Sequence, residues 1–295
     1  MTIQNSKLPT LRLNALGLAV CLSLALAPNS WAASILGSMD TYAIMGGATS
    51  AGTAATNTVG STLIYGGDLG APGGTTGGAG NHIFTDAGQI GGGQTLATTA
   101  QNQTDFQRAF DGLSNIAADG TPTTIGGIRT YTPGTYDLGT TAATAAGKTF
   151  TLDAQGQTGA AWIFRAGTTF TMGANSSVEF INEADGATAD NYGLFWLAGT
   201  TIDLGANSNF AGNLLSPTID FGNGASLRGS AMANIMNLDQ NDIQATDGGY
   251  TSGLRFSDSG STLTTLVATP IPEPTSSVLV ISGLMMLVVL RRRVK

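Results

Sequence analysis

The sequence predicts a mainly β protein: a triangular β-solenoid with one long α-helix packed along one face. Three observations predict it. Thr201-Ile-Asp-Leu204, Thr218-Ile-Asp-Phe221 and Ile235-Met-Asn-Leu238 align with one another, and Leu204, Phe221 and Leu238 recur at an interval of 17 residues. Internal repetition of this kind is the mark of a stacked architecture. Between these segments stand Gly/Asn corners, "GANSSVEF" from Gly173, "GANSNFAG" from Gly205 and "GNGASLRG" from Gly222. Such residues supply the positive φ that tight turns require. A third element recurs as "AAWIFRAG" from Ala160, "GLFWLAG" from Gly193, "GNLLS" from Gly212 and "SAMAN" from Ser230, so that one repeat is three short strands.

At the N-terminus, Lys7 and Arg12 precede the apolar run Leu13 to Ala27, then Pro28 and the small-residue site Ser30-Trp31-Ala32. This order reads as a secretory signal peptide over 1–32; an uncleaved N-terminal anchor is the alternative, although the run is short for a spanning helix of ~20 residues. The 33–250 region is the working domain. Within it, Thr58 to Leu69 and Gly126 to Leu138 are expected to be strands that complete or cap the stack, which protects its open edges.

The helix is expected over about 95–116. That stretch has no proline, and Leu96, Ala100, Phe106, Phe110 and Leu113 fall on or near one face. Gly91-Gly92-Gly93 before it and Asp119-Gly120 after it punctuate its ends.

Period-two alternation then sets the solenoid's faces. On the first face Phe150, Leu152, Phe170, Met172, Ile202, Leu204, Ile219 and Phe221 point inward. The outward positions are Thr149, Thr151, Thr169, Thr171, Thr201, Asp203, Thr218 and Asp220, continued by Ile235, Asn237 and Asp239. A second, more mixed face carries Ser177, Glu179, Asn209, Ala211, Ser226 and Arg228. The third is apolar without alternation (Trp162-Ile-Phe164, Leu194-Phe-Trp-Leu197). It must be covered on both sides, and the helix is the cover.

After a linker over 251–269 comes Pro272-Glu273-Pro274, then the uncharged apolar stretch 276–290, then Arg291, Arg292, Arg293 and Lys295. The basic end stays cytoplasmic under the positive-inside rule. Proline-glutamate-proline, apolar helix and arginine cluster, in that order, resemble the PEP-CTERM sorting signal of Gram-negative bacteria over 270–295. The resemblance implies cleavage near Pro272-Glu273-Pro274 by an exosortase-type protease, transient anchoring in the inner membrane, and a link to exopolysaccharide. An ordinary single-pass anchor is equally compatible with the physics.

Cys21, the one cysteine, lies in the signal region, so disulfides and thiol chemistry are not expected in the exported part. Six basic residues (Arg108, Arg129, Lys148, Arg165, Arg228, Arg255) remain there within a chain of net charge −7. That balance disfavours nucleic acid, and leaves the membrane as a partner only through the C-terminal segment. His82 is the one histidine, expected in a loop without a metal or triad partner. "GGAGNHIF" from Gly77 is too degenerate for a calcium nonapeptide, and Asp239, Asp242 and Asp247 are expected to be solvated. Glu179, Glu183, Asp185 and Asp190 surround a Gly/Ala-rich loop rather than a sugar cleft. No enzyme, cofactor or metal is expected.

"STLIYGGDLGAPGG" from Ser61, "YTPGTYDLG" from Tyr131, "FTLDAQGQTGAAWIFRAGTTF" from Phe150 and "GNLLSPTIDFGNGASLRGSAMA" from Gly212 together resemble the DUF3494 family, the ice-binding-protein-like domain. The likeness runs from about Ile35 to Ile243. It implies a discontinuous, right-handed triangular β-solenoid with one long helix alongside, and an antifreeze-like protein whose partner is ice or ordered water. Threonine suits such a role because it is stiff at χ1 and offers a methyl and a hydroxyl. Threonine also simply suits a half-exposed strand. The alternative function is therefore a non-catalytic structural or adhesive protein of the cell surface, linked to exopolysaccharide.

Overall fold

A computed structural model describes residues 34–49, 55–57, 61–71, 81–85, 95–120, 125, 129–187, 191–246, 249–252, 254–256 and 263–265. The chain divides into two units, Met1–Ala32 and Ala33–Lys295. The signal region 1–32, Asp247, the glycines from Gly77 and the sorting segment 270–295 lie outside the described residues. Among the described residues no helix is long and apolar enough to cross a membrane.

Among the described residues, the second unit is built on an 18-stranded parallel sheet whose strands form three ladders. The first ladder stacks Thr141–Ala143, Thr169–Met172, Thr201–Leu204, the last third of Asn209–Phe221, the last third of Ser226–Leu238, and Ala55–Asn57. The second stacks Thr130–Tyr131, Thr149–Asp153, Ser177–Ile181, the first residues of the two long strands, then Asp242–Gln244, Ser61–Tyr65 and Asn81–Thr85. The third stacks Gly134–Asp137, Ala161–Ala166, Gly193–Ala198, the middle of each long strand, then Tyr42–Met45, Asp68–Ala71 and Thr95–Ala97. Sequence order and stacking order therefore differ: the N-terminal strands sit on the last coil, Ser226–Gln244, not on the first.

Corner chemistry follows the sequence. Asn175 (φ 56°), Asn207 (φ 54°) and Gly224 (φ 68°) turn the chain from the first ladder to the second, and Gln240 (φ 53°) adopts the same conformation at the last coil. There the buried Asn241 bridges this corner to the one beneath, donating to the carbonyls of Gly222 (2.9 Å) and Ala225 (3.0 Å) while accepting from the Asp239 amide.

Each ladder sends alternate residues inward. Phe164 stacks on Trp196 at 4.4 Å and Tyr131 on Phe150 at 4.6 Å between ring centres. Such pairs add roughly 0.5–1.5 kcal/mol beyond burial. The indole N–H groups of Trp162 and Trp196 are both satisfied, donating to the carbonyls of Tyr131 and Ala211 at 3.0 Å.

The third ladder is apolar on both sides, as its sequence requires. Trp162, Phe164, Leu194 and Trp196 join the interior cluster. Ile163, Phe195, Leu197, Leu215 and Met232 face out and pack against Phe106, Ala109 and Leu113 of the helix. The helix spans Ala100–Ser114, shorter than the 95–116 expected. Thr95–Ala97 is instead a strand, because pairing with Leu69–Ala71 satisfies its backbone. Thr99 caps the helix in a reciprocal box with Asn102. At the other end Arg165 closes it, donating to the carbonyls of Ser114 (2.5 Å), Ile116 (2.7 Å) and Leu113 (3.3 Å) while pairing with Asp137 at 2.7 Å.

Beyond the last coil the chain returns to the junction of the second and third ladders. Tyr250 is buried there, its carbonyl accepts from the Leu194 amide at 2.9 Å, and Thr251 bridges Gly193.

Candidate functional site

The outward side of the first ladder presents two registered columns. One reads Thr141, Thr169, Thr201, Thr218, Ile235, and the other Ala143, Thr171, Asp203, Asp220, Asn237, Thr56. Strands in register lie about 4.8 Å apart, and alternate residues along a strand about 6.7 Å apart. The backing is rigid: Phe170, Met172, Ile202, Leu204, Ile219 and Met236 beneath the columns are all buried. Threonine's restricted χ1 keeps its methyl and hydroxyl in fixed places on such a support.

The structure brings together Thr169, Thr171, Thr201, Asp203, Thr218 and Asp220 of the expected array. It places Thr149 and Thr151 elsewhere. Their strand pairs with Ser177–Ile181, putting Thr149 beside Ser177 and Thr151 beside Glu179 on the second ladder. The place beneath Thr169 and Thr171 belongs to Thr141 and Ala143. "TFTL" and "TFTM" alternate alike, and alternation tells inside from outside without telling one wall from another. Thr141 and Thr56 stand in these columns although sequence reasoning did not place them there. The signal for Thr141 was legible as a recurring Gly-Thr-Thr: 139–141, 167–169 and 199–201.

Among the described residues of this ladder, the charged side chains are Asp203 and Asp220, neighbours on adjacent strands. Burial, and then the nearby Asp220 charge, push the Asp203 carboxyl above its ordinary value. Asp220 accepts from the Asn237 side-chain amide at 2.5 Å, and the Thr56 hydroxyl donates to the Asn237 side-chain oxygen Oδ1 at 2.8 Å. This polar chain fixes Asn237's orientation and ties the N-terminal strand to the last coil.

The second ladder's outward residues are more varied. Thr149 and Ser177 hydroxyls lie 3.1 Å apart, Ser177 donates to Glu179, and Ser226 donates to Asn209 at 3.3 Å. Glu179 and Arg228 stand exposed on the same face. His82, expected in a loop, belongs to the strand Asn81–Thr85 paired with Ser61–Tyr65. Among the described residues no group of three or more His, Cys, Asp or Glu is placed to hold a metal ion.

The model of the ice-binding-like family matches residues 49–244. An ice-binding protein of Nostoc sp. (strain HG1) is 28% identical over 191 residues, 64% of this chain. The match spans 64% of that relative's own length, a little under two thirds. Among solved structures, an ice-binding protein from an Antarctic biological consortium is 27% identical (TM-score 0.53), covering 72% of this chain and 91% of that one. The DUF3494 domain of ice-binding protein 1 from Shewanella frigidimarina is 25% identical (TM-score 0.55), covering 72% and 98%. An ice-binding protein from the Antarctic ascomycete Antarctomyces psychrotrophicus shares the fold at 23% identity, with a TM-score of 0.55. With the match running through all three ladders, the chain belongs to the ice-binding-like family.

Proposed function

We propose that this protein is an exported, non-catalytic ice-binding protein that adsorbs to ice through the outward side of the first ladder. The observation that carries the reading is the registered column Thr141, Thr169, Thr201, Thr218 with Thr171 beside it. Regular hydroxyls and methyls on a pre-organised sheet can order a water layer that merges with the crystal, without the entropic cost of arranging the surface first. Asp203 and Asp220 belong to the same array, and their hydration makes that end of the surface the weaker part. The three ladders are read as the walls of a right-handed triangular solenoid, with this array on one wall. Adsorption involves no turnover and no cofactor.

The termini support export: the signal-like region 1–32 precedes the domain, and Pro272-Glu273-Pro274, the apolar 276–290 and Arg291, Arg292, Arg293 follow it. In this reading an exosortase-type protease removes the C-terminal segment and leaves the domain at the cell surface or in the medium. The sorting-like C-terminal segment favours a second reading, a non-catalytic structural or adhesive protein of the cell surface linked to exopolysaccharide.

Thermal hysteresis and ice recrystallisation inhibition of the purified protein test the first reading. Activity lost in Thr169→Tyr and Thr201→Tyr, with unchanged circular dichroism, is the expected result. A folded wild type without activity would sink it and leave the polysaccharide reading.

A further inference from the structure

The first ladder is entered through three Gly-Thr-Thr corners, and their middle residues have no part in the two columns described above. Gly139-Thr140-Thr141, Gly167-Thr168-Thr169 and Gly199-Thr200-Thr201 each turn the chain out of the third ladder. The corners stack as closely as the strands. The Gly167 amide donates to the Gly139 carbonyl (2.8 Å), Thr168 to Thr140 (2.7 Å) and Thr200 to Thr168 (2.8 Å). A Cβ on Gly199 would lie 2.2 Å from the Gly167 carbonyl oxygen, so the close approach needs glycine there.

This stacking sets Thr140, Thr168 and Thr200 in line beside Thr141, Thr169 and Thr201. Thr140 and Thr200 are exposed, and Thr168 is half-buried. The Thr168 hydroxyl donates to the Thr140 carbonyl at 2.8 Å and lies 3.2 Å from the Thr141 hydroxyl. The corner column and the strand column therefore meet at the Thr168 and Thr141 hydroxyls, and the Thr168 hydroxyl is fixed by a backbone bond. Asp203 and Asp220 lie two residues further along their strands from Thr201 and Thr218, beyond the strand column. In the next coils the corner position passes to Pro217 and Asn234, which ends the threonine column.

We propose that Thr140, Thr168 and Thr200 are ice-contacting residues, forming with Thr141, Thr169 and Thr201 one uncharged array that Asp203 and Asp220 border. The ligand is the same ordered water lattice, and the inference rests on the ice-adsorption reading above. It moves the centre of the surface from the middle of the strands to the corner.

The test is thermal hysteresis of the purified protein with single tyrosine substitutions, folding being checked by circular dichroism and melting temperature. Thr200→Tyr and Thr140→Tyr are expected to lose activity as Thr201→Tyr does, because a ring standing off the plane clashes with a flat lattice. Thr149→Tyr, on the second ladder, is the control and keeps wild-type activity. Full activity in folded Thr200→Tyr and Thr140→Tyr, alongside loss in Thr201→Tyr, overturns the corner assignment and leaves the strand columns standing. A folded wild type without hysteresis overturns the ice reading and the corner assignment together.

Discussion

Replacing Arg165 with methionine keeps the aliphatic stem and removes the guanidinium that joins the helix to the stack. Two contributions are lost, and they differ in size. The pair with Asp137 is short at 2.7 Å, but the Asp137 side chain is 46% exposed, which limits it to under about 1 kcal/mol. The bonds to Ser114 and Ile116, at 2.5 and 2.7 Å, are made by one nitrogen of a side chain only 14% exposed. Hydrogen bonds from a charged donor contribute about 1.5–3 kcal/mol each, and a cation at a helix C-terminus adds to them. Sharing one nitrogen makes the two bonds less than additive, so Arg165→Met is expected to cost about 3 kcal/mol. Asp137→Asn should cost below about 1 kcal/mol. Arg165→Lys should fall between, because an ammonium cannot hold the carboxylate and the carbonyls together. Urea unfolding midpoints of the three variants give the comparison. Equal losses in Arg165→Met and Asp137→Asn would refute the argument that the carbonyls carry the energy.

Asp203→Asn should stabilise the protein at neutral pH. The raised Asp203 pKa means that the folded state holds this proton more tightly than the unfolded one, so wild-type stability rises as pH falls through the folded value. The variant's advantage in melting temperature should therefore shrink on acidification; an advantage independent of pH would contradict the raised Asp203 pKa that burial and then the Asp220 charge produce. Gly199→Ala sets a methyl 2.2 Å from the Gly167 carbonyl, and forcing the coils apart should cost about 1–3 kcal/mol in chemical denaturation. Thr99→Ala removes the acceptor for the Asn102 amide and should cost about 1 kcal/mol, with faster hydrogen exchange confined to the first helical turn.

Much of the architecture was legible because it rests on local chemistry. The non-alternating runs around Trp162 and Trp196 had to be covered twice, and the helix carrying Phe106 and Leu113 covers them. Asn175 and Asn207 stand in left-handed conformations at the corners where their type predicts them. What was not legible depends on distant partners. The constant interval between Leu204, Phe221 and Leu238 holds only for the two shortest coils; Thr149 pairs 28 residues on with Ser177, and Thr169 pairs 32 residues on with Thr201. Alternation reads alike in Thr149–Leu152 and Thr169–Met172 and does not choose between ladders, so Thr149 stands on the second ladder rather than the first. Thr95–Ala97 likewise reads as helix by composition and becomes strand through Leu69–Ala71.

The seam between the N-terminal strands and the last coil has a kinetic consequence. Thr56 meets Asn237 across 181 residues of sequence, and Thr62 meets Asn241 across 179. Closing a loop of that length costs about 4–5 kcal/mol in chain entropy, and no pairing along that seam offsets it until Ser226–Leu238 has formed. An ordinary repeat array can zip up from whichever end emerges first. Here the first strands made must wait for the last coil, so contact order is high and folding is slow. A chain still missing its final coil, Ser226–Gln244, has no partner for the N-terminal strands at the seam, so formation of that coil is the step that lets them pair.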